Sequence, residues 1–365
     1  MKIAYFISNR STIPSAPDQI TASTTVVLNI INELKSRHEI TVYAAQGSRI
    51  DGVKVIDLGL PPFLVDSSSA SNDWITKAVL TMKQLYIGKL FEDASQYDII
   101  HLHTEPSYLA MPFVPLIKTP VLITTHNTYH PFEEPIFKHF DGHVNFSALS
   151  HAQAKLHPLQ QEVPVIYNGI PVEQFSVDNG EGNYFLFLGR MVHDKGIDTF
   201  LELAQKTPDQ RFAVSGKGEK QYEDTAQLLA RTHTNIAYKG ILHRESKDWS
   251  EAFGKAKALI MPLHWDEPFG LVPIEAMAHG TPVIAFNRGA MSEIIDHGKN
   301  GYLIPEADGI QGLQKAITHI NSLSPDAYLA LRQEARKKIE STFSAGTMGR
   351  NYEQLYEKII AHQSS

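Results

Sequence analysis

Two glutamates, Glu267 and Glu275, lie at the start of a predicted helix, where both can border one ligand. Pro268 suits the first turn of that helix, because its missing N–H is not needed there. Free main-chain amides and the helix dipole favour a phosphate or diphosphate at such a start, and Gly270 lets the backbone approach it closely. These amides belong to Phe269, Gly270 and Leu271. Carboxylates accept hydrogen bonds from sugar or ribose hydroxyls; alternatively, Glu267 only caps the helix and Glu275 is a solvent-exposed acid.

Two cations lie in the loop between a predicted strand and the next helix. The strand, residues 184–188, ends in Gly189-Arg190, and Lys195-Gly196 precedes the helix. Arginine offers a planar fork of donors and lysine a compact charge, so the two together suit a diphosphate. Basic residues in loops are, by themselves, usually just solvated.

Weaker signals mark three other predicted strand ends. Gly216 lies in a glycine-containing loop, and Lys239-Gly240 ends the strand that follows. In the first half of the chain, His126 follows the predicted strand 121–125. A histidine in this position is either a hydrogen-bonded structural group or a ligand contact.

Four histidines of the first half invite a comparison with metal sites. His101 and His103 alternate by two and share one face of their strand, and His126 and His130 follow the next one. No carboxylate spacing accompanies them, and the chain has no cysteine. We therefore expect no metal, and we expect His101 to be a packed residue.

Strands alternate with amphipathic helices in both halves, which predicts an α/β protein with two parallel sheets covered on both faces. The predicted strands of the first half are 3–7, 40–44, 53–58, 99–103, 121–125, 144–147 and 163–167. Those of the second half are 184–188, 212–215, 236–238, 258–261 and 282–285. The predicted helices are 22–37, 198–206, 222–232, 247–257 and 271–279, followed by three closing helices, the last near 351–362. Residues 59–72 are predicted to form a loop.

The Asn168-Gly169-Ile170-Pro171 segment predicts a turn between two domains. We assign residues 1–168 to the first domain and 169–347 to the second. In doubly wound sheets, ligands bind beyond the carboxyl ends of the strands.

Composition excludes several classes of protein. The 365 residues carry 33 Lys and Arg against 40 Asp and Glu, a formal net charge of −7, which argues against nucleic-acid binding. No stretch has the length of a membrane span or the pattern of a signal peptide, so we expect a cytoplasmic protein. The segment 74–91 has three lysines among apolar residues, fewer than typical lipid-binding clusters. A packed surface helix is favoured there, and membrane association would be peripheral at most.

The Glu-x7-Glu segment, 266–278, resembles the signature of family 4 of the glycosyltransferases. The segments 189–196, 280–285 and 293–303 resemble the same family, and the likeness covers nearly the whole chain. The resemblance implies the GT-B fold, with two doubly wound Rossmann-like domains facing across a cleft. It also implies that the last helix, about 348–365, packs back onto the first domain.

The resemblance further implies a retaining, metal-independent transfer of a hexose from a nucleotide-sugar to an acceptor that the sequence does not identify, by front-side displacement. Arg190 and Lys195 would bind the diphosphate, Glu267 and His126 the sugar, and Glu275 the ribose. The donor site would also include Gly189, Gly216, Lys239, Gly240, Phe269, Gly270 and Leu271. The donor favoured is a UDP-hexose, with GDP-mannose next. No cofactor is expected, since the cations do the work of a metal and the chain has no Asp-x-Asp.

One departure concerns the first loop, where relatives usually carry a glycine pair. The matching residues 17–25 contain no glycine, which leaves the acceptor geometry open. A nucleotide-sugar epimerase or hydrolase on the same fold, and a non-catalytic nucleotide-sugar binder, are the alternatives. The oligomeric state is not predicted.

Overall fold

The computed structural model describes residues 1–15, 22–63, 73–103, 105–159, 162–177, 180, 182–244 and 246–363. The chain divides into two compact units. The N-terminal unit consists of Met1–Gly169 and Ala345–Ser365, and the C-terminal unit of Ile170–Ser344. The division after Gly169 lies one residue beyond the boundary proposed from the sequence.

The described residues form two six-stranded parallel sheets, one in each unit. The strands are β1 Lys2–Phe6, β2 Glu39–Tyr43, β3 Lys54–Ile56, β4 Ile99–Leu102, β5 Val121–Thr124, β6 Asn145–Ser147, β7 Tyr184–Leu188, β8 Phe212–Ser215, β9 Ile236–Tyr238, β10 Ala256–Met261, β11 Val283–Phe286 and β12 Gly301–Ile304. The helices are α1 Ala22–Leu34, α2 Asp73–Glu92, α3 Glu134–His139, α4 His151–Ala154, α5 Ile197–Lys206, α6 Lys220–Thr232, α7 Lys247–Gly254, α8 Leu271–Ala278, α9 Met291–Ile294, α10 Gly309–Ser322, α11 Pro325–Thr342 and α12 Ala345–Gln363. The predicted α/β class and its pair of parallel sheets are confirmed.

The sheet of the N-terminal unit has the strand order β3-β2-β1-β4-β5-β6. Its central strands are buried on both faces, as expected for a parallel sheet covered by helices. The last helix, α12, packs against α1 within this unit. The close approach depends on Gly349, because a Cβ there would lie 2.7 Å from the Cβ of Glu33.

The sheet of the C-terminal unit has the strand order β12-β11-β10-β7-β8-β9. Strands β7, β8 and β10 and helices α5 and α10 supply most of its apolar core. Arg332 of α11 is fully buried and donates to the main-chain oxygens of Gly254, Ala256 and His279. These bonds satisfy a charge that would otherwise be costly to bury.

Two sequence predictions are corrected, and one strand was missed. Residues 163–167 form no strand, because Pro164 lacks an N–H and only Val165 bridges to Ala148. Helix α7 ends at Gly254 rather than 257, because β10 already begins at Ala256. Strand β12 was not predicted. Residues 59–63 form the start of the expected loop, and the remainder, 64–72, lies outside the described residues.

The segment 74–91 is helical, as part of α2. Among the helices of the described residues, none combines the length and the apolar character needed to cross a membrane.

Candidate functional site

The start of α8 lies at the carboxyl edge of the C-terminal sheet, after the loop that leaves β10. Gly270 is its N-terminal cap and has a φ of 99°, which favours glycine. Phe269 is buried and packs edge-on against Phe343, with 5.6 Å between ring centroids. The main chain therefore turns tightly at the position where the sequence predicts phosphate-binding amides.

Glu267 and Lys195 form an ion pair at this edge. The carboxylate of Glu267 pairs with the Lys195 ammonium, and Trp265 Nε1 donates to the same carboxylate oxygen at 3.1 Å. The ammonium also lies 4.5 Å from the centroid of the Trp265 ring. The side chains of Lys195 and Glu267 are only 15% and 12% exposed. The structure thus brings the predicted diphosphate-binding lysine into contact with the predicted sugar-binding glutamate.

The main chain of Glu267 is fixed by the loop after β11. The N–H of Ala290 donates to the Glu267 carbonyl at 2.9 Å. Gly289 has a φ of 52°, and a Cβ there would lie 2.4 Å from both N and O of Glu267. Only glycine fits at position 289, so the position of Glu267 depends on it.

Glu275 is buried, with 4% of its surface exposed, so the interpretation as a solvent-exposed acid is wrong. Its carboxylate pairs with Arg244 Nη2 at 2.5 Å. The sequence analysis missed Arg244, which lies in the loop after β9 and belongs to no recognisable motif. A buried carboxylate requires such a partner, and this requirement is the only signal that would have pointed to an arginine.

Three glycines join the loops that follow β7, β8 and β9. The N–H of Gly189 donates to Ser215 O at 3.2 Å, and the N–H of Gly216 donates to Gly240 O at 3.0 Å. Gly216 has a φ of 146°, and a Cβ there would lie 1.8 Å from Gly189 O. The carbonyl of Gly240 also accepts from Ser215 Oγ at 2.9 Å. The three predicted loops are therefore neighbours in space.

The basic side chains of these loops differ in their surroundings. Arg190 is exposed, and no described residue forms a hydrogen bond or ion pair with its guanidinium. Lys239 instead places its ammonium 5.3 Å from the centroid of the Tyr184 ring, and its N–H donates to Val214 O at 2.8 Å. Arg190 is thus available for an anionic ligand, whereas part of Lys239 is engaged within the protein.

His126 belongs to the N-terminal unit and follows β5. Its main-chain N–H donates to Glu105 Oε1 at 2.8 Å, and its Nε2 lies 2.9 Å from His103 Nδ1. Burial lowers the pKa of His126 to about 4, so its imidazole is neutral at pH 7. Burial also raises the pKa of the Glu105 carboxyl to about 7.

In the first loop, residues 17–21 lie outside the described residues, and Thr24 and Thr25 are in the first turn of α1.

In the described part of the chain, one group of three metal-ligand side chains has its ligand atoms all within 4.8 Å of one another, namely His193, Asp198 and His264. His193 Nδ1 bonds Asp198 Oδ2 at 2.7 Å, and His264 Nε2 bonds Thr199 Oγ1 at 2.7 Å. The two imidazoles stack nearly parallel, with 4.8 Å between centroids. His193 Nδ1 and His264 Nε2 therefore already have protein partners, and a metal ion bound through these two nitrogens would have to displace them.

Comparison with protein families gives two matches that together span residues 23–338. Residues 23–174 match the model of Glycosyltransferase Family 4, and residues 172–338 match that of Glycosyl transferases group 1.

Individual relatives agree with these matches. A glycogen synthase of Mycobacterium tuberculosis is 25% identical over 302 residues, 74% of this chain and 72% of the relative. An uncharacterised glycosyltransferase of Methanocaldococcus jannaschii is 33% identical over 165 residues, but this match covers only 45% of each chain.

Solved structures show the same fold. A sucrose-phosphate synthase from Thermosynechococcus elongatus superposes with a TM-score of 0.79 at 17% identity, covering 99% of this chain and 100% of the other. HepE of Anabaena, solved in complex with UDP, has a TM-score of 0.73 at 17% identity and covers 98% and 100%. The two family matches therefore show that the protein is a glycosyltransferase of the family 4 type, and the solved structures show that it has the GT-B fold.

Proposed function

We propose that the protein transfers a hexose from a nucleotide-sugar to an acceptor with retention of configuration, and that the donor binds at the carboxyl edge of the C-terminal sheet. The observation that carries this proposal is the contact between Lys195 and Glu267 beside the start of α8. It joins a cation suited to a diphosphate with a carboxylate suited to sugar hydroxyls. Such a pair fits a ligand that has both groups side by side.

The diphosphate has three sources of stabilisation in this proposal. Arg190 supplies an uncommitted guanidinium, Lys195 an ammonium, and the start of α8 the amides of Gly270 and Leu271. Negative charge grows on the diphosphate as its bond to the sugar breaks, so these groups act most strongly in the transition state. We propose that the reaction needs no metal, because these cations neutralise the leaving group.

The nucleoside is assigned to the neighbouring loops. Glu275 accepts hydrogen bonds from the ribose hydroxyls while it remains paired with Arg244. Gly189 and Gly240 leave open space for a flat base near the main chain, because a Cβ added at either position would have no neighbour within 4 Å. UDP is the favoured nucleotide, supported by the fold neighbour solved with UDP and with UDP-glucose. GDP is the next choice.

The chemical step is a front-side displacement. The bond between the anomeric carbon and the diphosphate oxygen breaks, the acceptor oxygen bonds to the same face, and its proton passes to the departing diphosphate oxygen. Glu267 is no covalent nucleophile in this scheme, because its carboxylate is held by the Lys195 ammonium and the Trp265 N–H. The glutamate instead orients the sugar, and the family resemblance assigns His126 a contact with the same sugar.

The proposal is tested with a panel of UDP- and GDP-hexoses. Thermal shift identifies the donor, since a ligand at a hundred times its dissociation constant stabilises by about 2.7 kcal/mol. Proton NMR then follows the anomeric signal with an acceptor panel. Transfer with an unchanged anomeric configuration supports the proposal. Free sugar in every reaction indicates a hydrolase, a new hexose still attached to UDP indicates an epimerase, and binding without any turnover indicates a non-catalytic binder.

A further inference from the structure

A row of hydrogen-bonded histidines runs through the N-terminal unit and ends at His126. His126 Nε2 lies 2.9 Å from His103 Nδ1, and His103 Nε2 lies 3.3 Å from His101 Nδ1. The row continues into the C-terminal helix, because Tyr356 OH of α12 lies 2.6 Å from the same His101 nitrogen. Tyr356 OH in turn lies 3.0 Å from Tyr5 OH of β1.

The inner members of this row are neutral. His101 and His103 are buried, and desolvation holds the pKa of each imidazole well below its usual value. A neutral imidazole has one N–H and one nitrogen lone pair, so each ring can donate at one nitrogen only. The tautomer of one histidine therefore dictates that of the next along the row.

The bond between Tyr356 and His101 sets the direction of the row. A separation of 2.6 Å is typical of an O–H donor, whereas N–H donors lie farther from an oxygen, at about 2.9–3.0 Å. Tyr356 therefore donates to His101 Nδ1, and the His101 Nε2–H donates to Thr124 Oγ1 at 2.8 Å. His101 Nδ1 then carries no hydrogen, so a hydrogen in its 3.3 Å contact with His103 Nε2 must come from His103, which shares, as a longer and weaker second donor, the lone pair that Tyr356 occupies. His103 Nδ1 must then accept from the Nε2–H of His126.

We propose that Tyr356 and His103 are positioning residues that hold His126 as its Nε2–H tautomer, with the lone pair of Nδ1 presented as a hydrogen-bond acceptor. No described residue forms a hydrogen bond with His126 Nδ1. A free imidazole lone pair suits a hydroxyl donor, such as a sugar hydroxyl, and rejects another acceptor. The consequence for transfer rests on the proposed function, whereas the tautomer itself does not.

The helix α12 supplies a matched pair of tyrosines for the test. Tyr352 also packs on His101, with 5.0 Å between ring centroids, but its hydroxyl lies 3.3 Å from Thr124 Oγ1 and does not bond a histidine nitrogen. Both tyrosines are fully buried. Y352F therefore controls for the loss of a buried hydroxyl from the same helix, whereas Y356F also removes the donor that directs the row.

The experiment is ¹⁵N NMR of the full-length protein with ¹⁵N-labelled histidine, with the His126 signals assigned from the H126Q variant. We expect His126 to carry its proton on Nε2 in the wild type and in Y352F, and to become a mixture of tautomers in Y356F. With an active donor–acceptor pair, kcat should fall about tenfold in Y356F, with the Kd for UDP changed less than twofold.

A wild-type His126 protonated on Nδ1 overturns the proposal, whether or not the variants fold. Equal tautomer changes in Y352F and Y356F also overturn it, because they would show a general packing effect. If the tautomers behave as expected but no variant or wild type transfers sugar, the proposed function fails and the positioning role stands.

Discussion

Glu275 and Arg244 allow a quantitative test of donor binding. In the proposed complex, Glu275 accepts a charge-assisted hydrogen bond from the ribose, and such bonds contribute about 1.5–3 kcal/mol. Since about 1.4 kcal/mol corresponds to a factor of ten in affinity, E275A should raise the Kd of UDP by roughly 10- to 100-fold. Calorimetric titration with UDP measures this change without requiring an acceptor.

The same substitution leaves Arg244 without its partner, so stability must be measured alongside affinity. Removing one member of a buried ion pair costs about 3–5 kcal/mol when both charges are buried. Arg244 is 27% exposed and can regain water, so the loss should lie below that range in E275A. R244A removes the arginine partner of the more deeply buried carboxylate and should destabilise more than E275A. Urea unfolding of both single variants and the double variant gives the coupling between the two residues.

E251A is the matched control, because Glu251 of α7 is in the same unit and pairs with Lys247 and Lys255 at the surface. It should change neither UDP affinity nor stability by more than about 0.5 kcal/mol. A folded E275A protein that binds UDP as tightly as the control would refute the ribose assignment. If R244A were no less stable than E251A, the idea that Arg244 compensates a buried charge would be wrong.

Three further outcomes are expected. R190A and K195A should each lower kcat with bound donor by about 10- to 1,000-fold, because Arg190 and Lys195 stabilise charge that grows in the transition state. Single-turnover kinetics measures this decrease. Unchanged rates in both variants would contradict the metal-free scheme. G216A should prevent folding or destabilise the protein by several kcal/mol, because the new Cβ would lie 1.8 Å from the carbonyl oxygen of Gly189. G189A should be tolerated, because its new Cβ would have no neighbour within 4 Å. Thermal unfolding of both variants measures the difference. Burial raises the pKa of the Glu105 carboxyl from 4.5 to about 7. The protonated carboxyl therefore contributes fully to stability below pH 4.5, and this contribution is lost as the pH rises through 7. The free energy of unfolding of E105Q, relative to that of the wild type, should therefore be higher at pH 8 than at pH 5. An equal difference at both pH values would show that Glu105 ionises normally.

Much of the fold follows from local patterns in the sequence. Strands such as β7 and β8 are short apolar runs between polar turns, and their predicted limits, 184–188 and 212–215, match the structure. Residues 163–167 have a similar apolar composition, but Pro164 and Val165 lie where only one bridge forms. The difference depends on a neighbouring strand with free hydrogen-bonding groups, and no local pattern specifies such a neighbour.

In the candidate site, too, local features could be predicted from the sequence and contacts between distant residues could not. Glu267, Gly270 and Glu275 lie in one segment, so their spacing and the helix start are visible in the sequence. The partners of the two glutamates are distant in the chain, Lys195 by 72 residues and Arg244 in an unremarkable loop. Lys195 was identified from its own motif, but its contact with Glu267 was not. Pairing between distant residues depends on the order of strands in the sheet, which local propensity does not determine.

The histidines of the N-terminal unit show why a correct pattern can leave its meaning undecided. Alternation by two placed His101 and His103 on one strand face, but this spacing alone does not distinguish metal ligands from packed polar groups, and only the missing carboxylate spacing and the lack of cysteine argued against a metal. Whether such histidines bind a metal or are packed polar groups depends on the side chains that contact their imidazoles. In the structure it is Tyr356, 255 residues from His101, whose hydroxyl occupies the lone pair that a metal would need. The C-terminal helix thus decides the chemistry of a strand that lies far from it in the chain, and only the packing of α12 within the N-terminal unit brings the two together.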